Sequence, residues 1–545
     1  MFTKVIKTSA LALALFISAA QAAPPPQHAH PVTGVPIGKQ TAPPLRKDIN
    51  QLHAAGGPQW DLYLLALGAL QGDGEEDPLS YFQLSGIHGK PFIEWNGAGP
   101  GVDVSWGGYC PHAENMFLPW HRAYLALFEQ VLVERAKKIA AQYPVNVRPR
   151  YLQAAETLRI PYWDWSADSV VPPSTVPDTI RVNATRGNKV KEVQIENPLR
   201  VYKIPKAAVD GKYGPFDPLM RTKIERCTAP RTWPGSANKY LSENIYRQWT
   251  YEFLTRSRDF TEFSFGGGYS VSLEQIHNNI HWDATCGEQF FDNGLAAFDP
   301  LFMLHHAHVD RIWAFWQALR PDEDIFKNSY PGNPRFATKM GATINPDSPM
   351  QPFFQPSGAF HTSLTVRSIH KLGYSYEGLQ ASKGSQEQVK QDVMRIVNRI
   401  YGTGSVATAS LESNNQPEMR YVAQVRVNRT EVERPYRIDV LLDGKRAGSY
   451  VVPQGPAVGM EQGSFGLDSV KTGDAALAFD QDKTKGSNST FAVEVVKASP
   501  PDGSKIPLKD MSSLHVEVEA MEMTPPSTDK ELPRYGATSL HKVIL

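Results

Sequence analysis

Histidines are the residues of this chain whose type and spacing best fit metal chemistry. His277 and His281 stand four positions apart, so on a helix both imidazole rings project from one face. Two such rings can bind one metal ion, and the His305–His306 pair on the next apolar segment offers a third. Three neutral nitrogen ligands leave a coordination position open for a substrate or a gas. A single histidine on an apolar helix is more often a core residue, but five histidines between positions 277 and 308 favour a metal site.

A second group of three histidines lies upstream. His88 is followed by Gly and Pro within three residues, which is typical of a helix end or a loop. His112 follows a turn-forming segment rich in glycine. His121 lies at the start of a long amphipathic run, 123–141, with a proline suited to its first turn. The spacings among these three histidines depend on loops, so on their own they are weak evidence for a metal site. The downstream histidines strengthen that evidence, because the two groups would form matching sets of ligands.

The ligand types narrow the choice of metal. Imidazoles without evident carboxylate partners suit copper, zinc, iron or nickel better than magnesium or calcium. Two ions held about 3.5–4 Å apart can bind one small molecule between them. The spacing alone does not choose among these metals.

Composition excludes some classes of partner. The chain has 545 residues, enough for more than one domain, and equal numbers of basic and acidic residues, 56 each. It has no basic run and no patch of interleaved basic and aromatic residues, so we expect no nucleic-acid partner.

The first 22 residues have the pattern of a secretion signal. Lys4 and Lys7 precede an apolar stretch, and Ala20–Ala22 forms a small-x-small cleavage site. No other apolar run is long enough to cross a bilayer. We therefore expect no membrane partner and a mature protein that is secreted after cleavage near Ala22. Three possible glycosylation sites are compatible with that route: Asn183, Asn428 and Asn488.

The chain contains three cysteines, Cys110, Cys227 and Cys286. An odd number needs an explanation in a secreted protein, because free thiols oxidise there. A disulfide between Cys227 and Cys286 would not include Cys110. Cys110 lies two residues before His112.

Helical and strand patterns occupy different parts of the chain. Helices are predicted at 50–70, within 240–265, around His277, at 300–319 and from a cap at Ser385 to Ile400, and the stretch 168–235 is predicted to form surface loops. Residues 402–417 read as a linker. After it the period changes to two, which predicts a small β-sandwich; its strands are Tyr421–Val432, Ile438–Leu442, Phe491–Val496 and Leu514–Val518.

Three motifs carry a resemblance to a known family. They are H-x3-H from His277, D-P-x-F-x-x-H-H-x3-D from Asp299 to Asp310, and F-x3-H-R from Phe117. They resemble the type 3 copper proteins, and most of all the secreted tyrosinases of filamentous fungi, over nearly the whole mature chain. The resemblance implies a mainly α fold with a four-helix-bundle dicopper core, long loops and a C-terminal β-sandwich. The implied domains are a signal peptide (1–22), a catalytic domain (23–401), a linker (402–417) and a shielding domain (418–545).

The resemblance also implies a ligand set for two copper ions that react with O2. His88, His112 and His121 would bind the first ion, and His277, His281 and His306 the second. His305 becomes a supporting group, and His308 an outward or structural one. Cys110 would form a thioether with His112, which fixes the orientation of that ring.

Further residues are expected beside the copper ligands. Phe117 and Phe302 each precede a ligand by four residues, so they can pack in the core, wall the copper pocket, or do both. Asp310 is expected to support the site, although an ion pair with Arg311 is the alternative. Trp282 follows a ligand at a position that often faces the substrate entry in the family.

Glu274 and Asn278 are the predicted catalytic residues. In the resembling tyrosinases a carboxylate and an amide in these places position a water that accepts the proton of an incoming phenol, which is general-base work. Their presence favours hydroxylation of monophenols as well as oxidation of diphenols. The plainer interpretation is an exposed helix glutamate and a capping asparagine.

The C-terminal region resembles the shielding domain of the family. It would cover the copper entrance until a processing protease cuts the linker, since exposed segments of small residues are where proteases act. Tyr374–Tyr376 matches the aromatic pair that closes the family's catalytic domain, with Arg46 as the expected partner. The expected partners are therefore small phenols, O2 and a protease.

Three alternatives remain open. A catechol oxidase would lack activity on monophenols, and a haemocyanin-like oxygen carrier would keep its cover permanently. A di-zinc hydrolase is disfavoured because such sites usually include bridging carboxylates. Glu274 with Asn278, and the linker, favour an enzyme over a carrier.

Overall fold

The computed structural model describes residues 30–100, 107–266, 271–380, 384–402, 417–456, 458–468, 470, 491–498 and 503–543. The predicted signal peptide, most of the predicted linker and the sequon at Asn488 lie outside these residues. Within them, none of the helices combines the length and the apolar character needed to cross a bilayer.

Helices dominate the first four hundred residues of the chain. The helices are α1 (Ile49–Ala55), α2 (Gly57–Gln71), α3 (Tyr81–Gly86), α4 (Phe117–Ala141), α5 (Arg148–Thr157), α6 (Lys206–Val209), α7 (Gly235–Ser242), α8 (Tyr246–Arg256), α9 (Phe260–Ser264), α10 (Leu273–Asp283), α11 (Leu301–Leu319) and α12 (Gln386–Tyr401).

Strands dominate the remainder, so the fold is mixed helix and strand and the prediction of a mainly α fold is corrected. The strands are β1 (Thr179–Arg186), β2 (Lys189–Glu196), β3 (Tyr330–Pro331), β4 (Thr343–Ile344), β5 (Glu418–Asn428), β6 (Tyr436–Leu442), β7 (Lys445–Val452), β8 (Met460–Gly466), β9 (Phe491–Lys497), β10 (Lys505–Ile506), β11 (His515–Thr524) and β12 (Arg534–Val543).

Three helices and the end of a fourth position five of the six predicted ligands, and His112 lies in a loop. His88 follows the end of α3, His121 lies in the second turn of α4, and α10 and α11 carry the downstream group. Ser272 begins α10, and its hydroxyl accepts a hydrogen bond from the Gln275 N–H at 3.2 Å. All of α10, and nearly all of α11, is buried, as expected for helices that are surrounded by other elements.

Two predicted segments differ from the structure. The helix predicted at 50–70 is interrupted at Gly56, whose φ of 57° is a backbone conformation that suits glycine. The region predicted as loops, 168–235, contains the antiparallel hairpin β1–β2. Alternate residues of β1 are buried. The two-residue period of a strand was therefore present in this charged sequence, but it was not recognised.

The C-terminal strand region, residues 418–543, forms two antiparallel four-stranded sheets. Their strand orders are β10-β9-β6-β7 and β12-β11-β5-β8. The four predicted strands are present with shifted bounds, whereas β7, β8, β10 and β12 were not predicted. β7 and β8 are edge strands of different sheets, and β7 lies against α10.

The predicted partnership of Arg46 with the Tyr374–Tyr376 pair is confirmed. The guanidinium lies 3.5 Å from the centre of the Tyr374 ring and donates to the Tyr376 hydroxyl at 3.0 Å. It also pairs with the buried Glu129 and Asp310. These contacts fasten the N-terminal segment to α4 and α11, the helices that carry His121 and His306.

Candidate metal centre

The downstream histidines converge as one metal ion requires. The Nε2 atoms of His277, His281 and His306 lie 2.9, 3.2 and 3.3 Å from one another. A tetrahedral ion with bonds of about 2.0 Å to nitrogen holds its ligand atoms about 3.3 Å apart. His281 Nδ1 lies 2.6 Å from the Phe290 carbonyl, so this nitrogen carries the hydrogen and Nε2 keeps its lone pair for a metal.

The upstream histidines form a second triangle. The ring centres of His88, His112 and His121 are 5.5 to 5.6 Å apart. The Nδ1 atoms of His88 and His121 lie 3.0 and 2.8 Å from backbone carbonyls of Asn293 and Phe117. Among the described residues their Nε2 atoms, both buried, have no hydrogen-bond partner. A buried ring nitrogen without a hydrogen-bond partner keeps its lone pair available for a metal ion.

The two triangles face each other. The His121 and His306 rings stack with centres 4.5 Å apart, and the His112 and His277 rings are 5.9 Å apart. The arrangement therefore fits two adjacent ions.

Burial keeps the imidazoles neutral. Removal from water lowers the pKa of His88 to about 4 and that of His281 to about 3. The pKa values of His112, His121, His277 and His306 are also well below the ordinary value, first through burial and then through their neighbours; each ring is therefore a neutral donor at neutral pH, as metal binding requires.

Phe117 and Phe302 pack against the ligands. The Phe117 ring lies 4.9 Å from those of His121 and His277, and the Phe302 ring lies 4.0 Å from that of His306. Both side chains are fully buried. Core packing and a wall around the metal pocket therefore coincide.

The other histidines of α11 have different surroundings. His305 is buried, and its ring stacks on His277 with centres 5.0 Å apart, so it belongs to the same cluster. His308 Nε2 lies 3.1 Å from an Asp164 oxygen and is fully buried, which makes it structural rather than outward.

Asp310 lies at the centre of a buried polar network. It accepts hydrogen bonds from Arg122 at 2.5 Å and from the hydroxyls of Tyr374 and Tyr376 at 2.7 Å each. The alternative ion pair with Arg311 is not formed, because Arg311 pairs with Asp164 at 3.0 Å. The contacts of Asp310 hold α11 in place one turn beyond His306.

Glu274 and Asn278 are both buried beside predicted ligands. Glu274 Oε1 accepts from the Ala113 N–H at 2.8 Å, and its buried Oε2 has no partner among the described residues. Burial raises the pKa of Glu274 well above its ordinary value. Asn278 Oδ1 lies 3.0 Å from His277 Nδ1. Glu274 therefore adjoins the backbone beside His112, and Asn278 supports the downstream trio.

The cysteines separate into two roles. Cys227 and Cys286 form a disulfide bond. Cys110 lies outside it and is buried, and its sulfur and the nearest ring nitrogens of His88 and His112 all lie within 4.8 Å of one another.

Sequence reasoning missed the backbone segments that complete the centre. The carbonyls of Phe290 and Asn293 orient His281 and His88, yet a backbone acceptor has no sequence signal. Pro453, after β7, lines a small cavity together with five predicted site residues, His88, His112, His277, Asn278 and His281. The proline and glycine of 453–456 mark a turn, but nothing in them indicates which distant surface it covers.

The C-terminal strand region also covers Trp282. Its indole N–H donates to the Ala498 carbonyl at 2.9 Å, and the Arg437 guanidinium lies 5.3 Å from the ring centre. The Trp282 ring is therefore buried against this region.

The sequence is similar to those of fungal tyrosinases and polyphenol oxidases. Residues 78–319 match a family model described as the common central domain of tyrosinase. The chain is 33% identical to a tyrosinase of Podospora anserina over 408 residues, covering 69% of this chain and 70% of that protein. It is 33% identical to a tyrosinase of Neurospora crassa, covering 69% of this chain and 58% of that protein. It is 34% identical to polyphenol oxidase 2 of Agaricus bisporus, covering 63% of each.

Solved structures share the fold over almost the full length. A recombinant mushroom tyrosinase superposes with a TM-score of 0.78 at 24% identity, over 94% of this chain and 98% of that one. An Aspergillus oryzae pro-tyrosinase mutant superposes with a TM-score of 0.72 at 22% identity, over 94% and 97%.

Proposed function

This chain belongs to the tyrosinase family of binuclear copper enzymes, and we propose that it uses O2 to ortho-hydroxylate monophenols and to oxidise o-diphenols to o-quinones. The observation that supports this most is the convergence of two imidazole triangles on one buried space. In this proposal a four-helix bundle holds the pair, with His88, His112 and His121 on one copper and His277, His281 and His306 on the other. Neutral imidazoles suit copper.

The copper pair, when bound, supplies the redox chemistry with O2. The protein supplies proton transfer and a dry site. Glu274 Oε2, buried and without a partner in the described structure, would hold a water with Asn278, and that water would take the phenol proton. Phe117 and Phe302 keep bulk water from the ligands.

A thioether between Cys110 and His112 is part of the same proposal. The two side chains are buried next to each other. Such a bond would fix the one upstream ligand that lies in a loop rather than on or beside a helix, which reduces the entropy lost on metal binding.

Latency and secretion complete the proposal. Residues 418–545 would be a β-sandwich shielding domain that covers the catalytic domain 23–401, and a protease would cut the linker 402–417. The placement of Pro453 beside His277 supports a cover. The signal 1–22 would direct secretion, for formation of a pigment or a phenolic secondary metabolite. Among the sequons, Asn428 suits a glycan better than Asn183, whose amide donates to the buried Asp61.

One experiment separates this function from its alternatives. Copper-loaded protein is treated with peroxide, its absorption spectrum and copper content are measured, and turnover of tyrosine and of a catechol is followed after linker cleavage. We expect two copper ions per chain, a new absorption band and turnover of both phenols, with a lag for tyrosine. Turnover of the catechol alone would indicate a catechol oxidase, and oxygen binding without turnover a carrier. The His306→Ala variant is the control and should lose one ion.

A further inference from the structure

One loop orients a ligand of each predicted copper ion. In residues 284–295, which follow α10, the Phe290 carbonyl lies 2.6 Å from His281 Nδ1 and the Asn293 carbonyl lies 3.0 Å from His88 Nδ1. His88 is a predicted ligand of the first ion and His281 of the second. The two carbonyls stand three positions apart, so a shift of this loop would turn one ring in each triangle.

The loop keeps its shape through bonds between its own residues. The Phe291 N–H donates to the Glu288 carbonyl at 2.8 Å, the Asp292 N–H to that of Gln289 at 3.1 Å, and the Leu295 N–H to that of Asp292 at 2.8 Å. These bonds define the spacing of the two orienting carbonyls. Contacts with other segments define where the loop lies relative to the two triangles.

The side chain of Gln289 fastens the loop to residues 217–231, here called the bracing segment. It is fully buried. Its Oε1 accepts from the Glu225 N–H at 2.8 Å, and its Nε2 donates to Asp217 Oδ2 at 2.7 Å and to the Lys223 carbonyl at 3.2 Å. Both polar atoms of Gln289 therefore bind the bracing segment, which contains none of the six predicted ligands.

Two more contacts join the loop to the bracing segment. The disulfide bond between Cys227 and Cys286 is one of them. The other is the buried carboxylate of Glu288, which accepts from Arg221 Nη1 at 2.9 Å and from Arg231 Nη2 at 3.2 Å. A covalent bond, an ion-paired carboxylate and a buried amide thus hold positions 286, 288 and 289.

The bracing segment also holds the start of α11. Arg226 donates to both carboxylate oxygens of Asp299, at 2.9 and 2.6 Å, and both side chains are buried. Asp299 Oδ1 in turn accepts from the N–H of Leu301, the first residue of α11, at 2.8 Å. Because α11 carries His306, the bracing segment fixes the position of this predicted ligand as well as that of the loop.

We propose that the bracing segment is a positioning element of the binuclear centre, which places His88 for the first copper ion and His281 and His306 for the second. Gln289 is the positioning residue where it meets the loop. Removing this contact weakens the binding of both ions together. Groups that orient a metal ligand commonly change metal affinity 10–100-fold. This inference rests on the ligand set of the proposed function.

A different set of contacts serves the first ion and supplies a matched comparison. Asn333 Nδ2 donates to the His112 carbonyl at 3.0 Å. Glu114 holds Asn333 in turn, because its Oε2 accepts from the Asn333 N–H at 3.0 Å and its Oε1 from Arg335 Nη1 at 2.6 Å. These contacts act on the loop of His112, so their loss should weaken the first ion and leave the second in place.

The test measures copper binding by the full-length chain and three variants. Copper-free protein is titrated with copper against a competing chelator, and native mass spectrometry counts the chains that hold zero, one and two ions. Gln289→Ala should lower the affinities for both ions about 10–100-fold, whereas Glu114→Gln should lower the affinity for one ion only. Val182→Ala removes part of a buried side chain from β1, which carries no predicted ligand, so it should lower Tm and leave both affinities unchanged.

A second variant keeps the test open where Gln289→Ala does not fold. The paired substitution of Cys227→Ala with Cys286→Ala removes another contact between the loop and the bracing segment. It should also weaken both ions.

The outcomes separate this inference from the proposed function. If the unaltered protein binds two ions and Gln289→Ala keeps its affinity for either of them, the inference is wrong and the proposed function stands. Weakening of both ions in Val182→Ala, at a Tm no lower than that of Gln289→Ala, would also overturn the inference, because stability alone would then explain the effect. Fewer than two copper ions on the unaltered protein would contradict the proposed function itself.

Discussion

At the scale of single residues, the ligand rings are oriented by backbone carbonyls from other segments. Phe290, Asn293 and Phe117 each offer a carbonyl to the Nδ1 of a different histidine, at 2.6, 3.0 and 2.8 Å. Each bond fixes which nitrogen keeps its lone pair and where that lone pair points. The metal geometry is therefore built before a metal arrives, which lowers the entropy lost when it binds.

Glu274 provides the sharpest test at this scale. Glu274→Gln keeps the side-chain size and the oxygen that accepts from Ala113, but it removes the carboxylate that would help the held water take the phenol proton. We expect monophenol turnover to fall about 100-fold or more, as for loss of a general base, with diphenol turnover changed only a few-fold. The ratio of the two initial rates in the cut protein measures this. Equal losses for both substrates would make Glu274 structural.

Cys110 is tested by its chemical state. In copper-loaded protein exposed to O2, we expect the peptide with Cys110 and His112 to resist thiol alkylation and to weigh two hydrogens less than its formula. Cys110→Ala should weaken copper retention about 10–100-fold, in the range found for groups that orient a ligand, with little change in Tm. A thiol that alkylates fully in the copper-loaded protein would rule out the thioether.

The predictability of the site follows from which residues carry local signals. His277 and His281 are readable because helical spacing alone brings them together. Glu274 and Asn278 became readable through the family motif. Pro453 and the carbonyl of Asn293 could not be predicted, since each acts through a contact between segments far apart in sequence.

At the scale of elements, Gly448 of β7 marks a close fit between the C-terminal strand region and α8. An added Cβ would lie 2.8 Å from Trp249 and 3.1 Å from Phe465. Gly448→Ala should cost about 1–3 kcal/mol as overpacking and loosen the region, so diphenol turnover by uncut protein should rise.

Gly503→Ala is the matched control for this variant, because its added Cβ meets nothing within 4 Å. Activity and Tm of the uncut control should equal those of the unaltered protein. If the two glycine variants behave alike, the close fit at Trp249 does not hold the region in place.

Glu252 on α8 predicts a pH dependence of stability. Burial raises its pKa from 4.5 to about 7, with Asp468 adding to the shift and Arg420 and Arg256 opposing it. An acid whose folded pKa is raised contributes stability that is complete below the unfolded value and is lost as pH rises through about 7. The loss is at most about 3 kcal/mol.

Glu252→Gln removes this titration, so unfolding by urea should show the variant gaining on the unaltered protein between about pH 5 and pH 8. Gln248, whose amide donates to Glu252 at 2.7 Å, can still donate to the new amide oxygen. A stability difference that stays constant with pH would contradict the shifted pKa.

Helices and strands were predicted correctly where the apolar residues repeat with one clear period. They were missed where the local amino-acid composition hides that period. The amphipathic helices α4 and α12 were predicted because their apolar residues repeat at helical spacing. β7 and β8 were missed because Gly448, Gly463 and their serine neighbours disfavour strands locally. Packing against α10 and the neighbouring strands overrides that local preference.

At the scale of the whole molecule, the C-terminal strand region is joined to the helices by many polar contacts. Arg256 pairs with Glu519 and Arg446 with Glu243. Asn398 on α12 donates to the Asp529 and Glu531 carbonyls at 2.9 and 2.8 Å. Polar contacts of this kind are typical of interfaces between domains, and here the buried apolar side chains of the two regions also form one continuous cluster.

Cleavage of the linker is therefore expected to change access rather than to rebuild the site. While the linker is intact, the C-terminal strand region stays at a high effective concentration, and every opened contact closes again. After a cut between Gly402 and Pro417 the region can dissociate, so phenol turnover should rise at least tenfold and rise further on dilution, whereas uncut protein should show no dependence on dilution. Copper content should be equal before and after the cut. The measurement is catechol turnover per copper over a dilution series, and an uncut protein as active as the cut one would show that Pro453 and its neighbours do not restrict the centre.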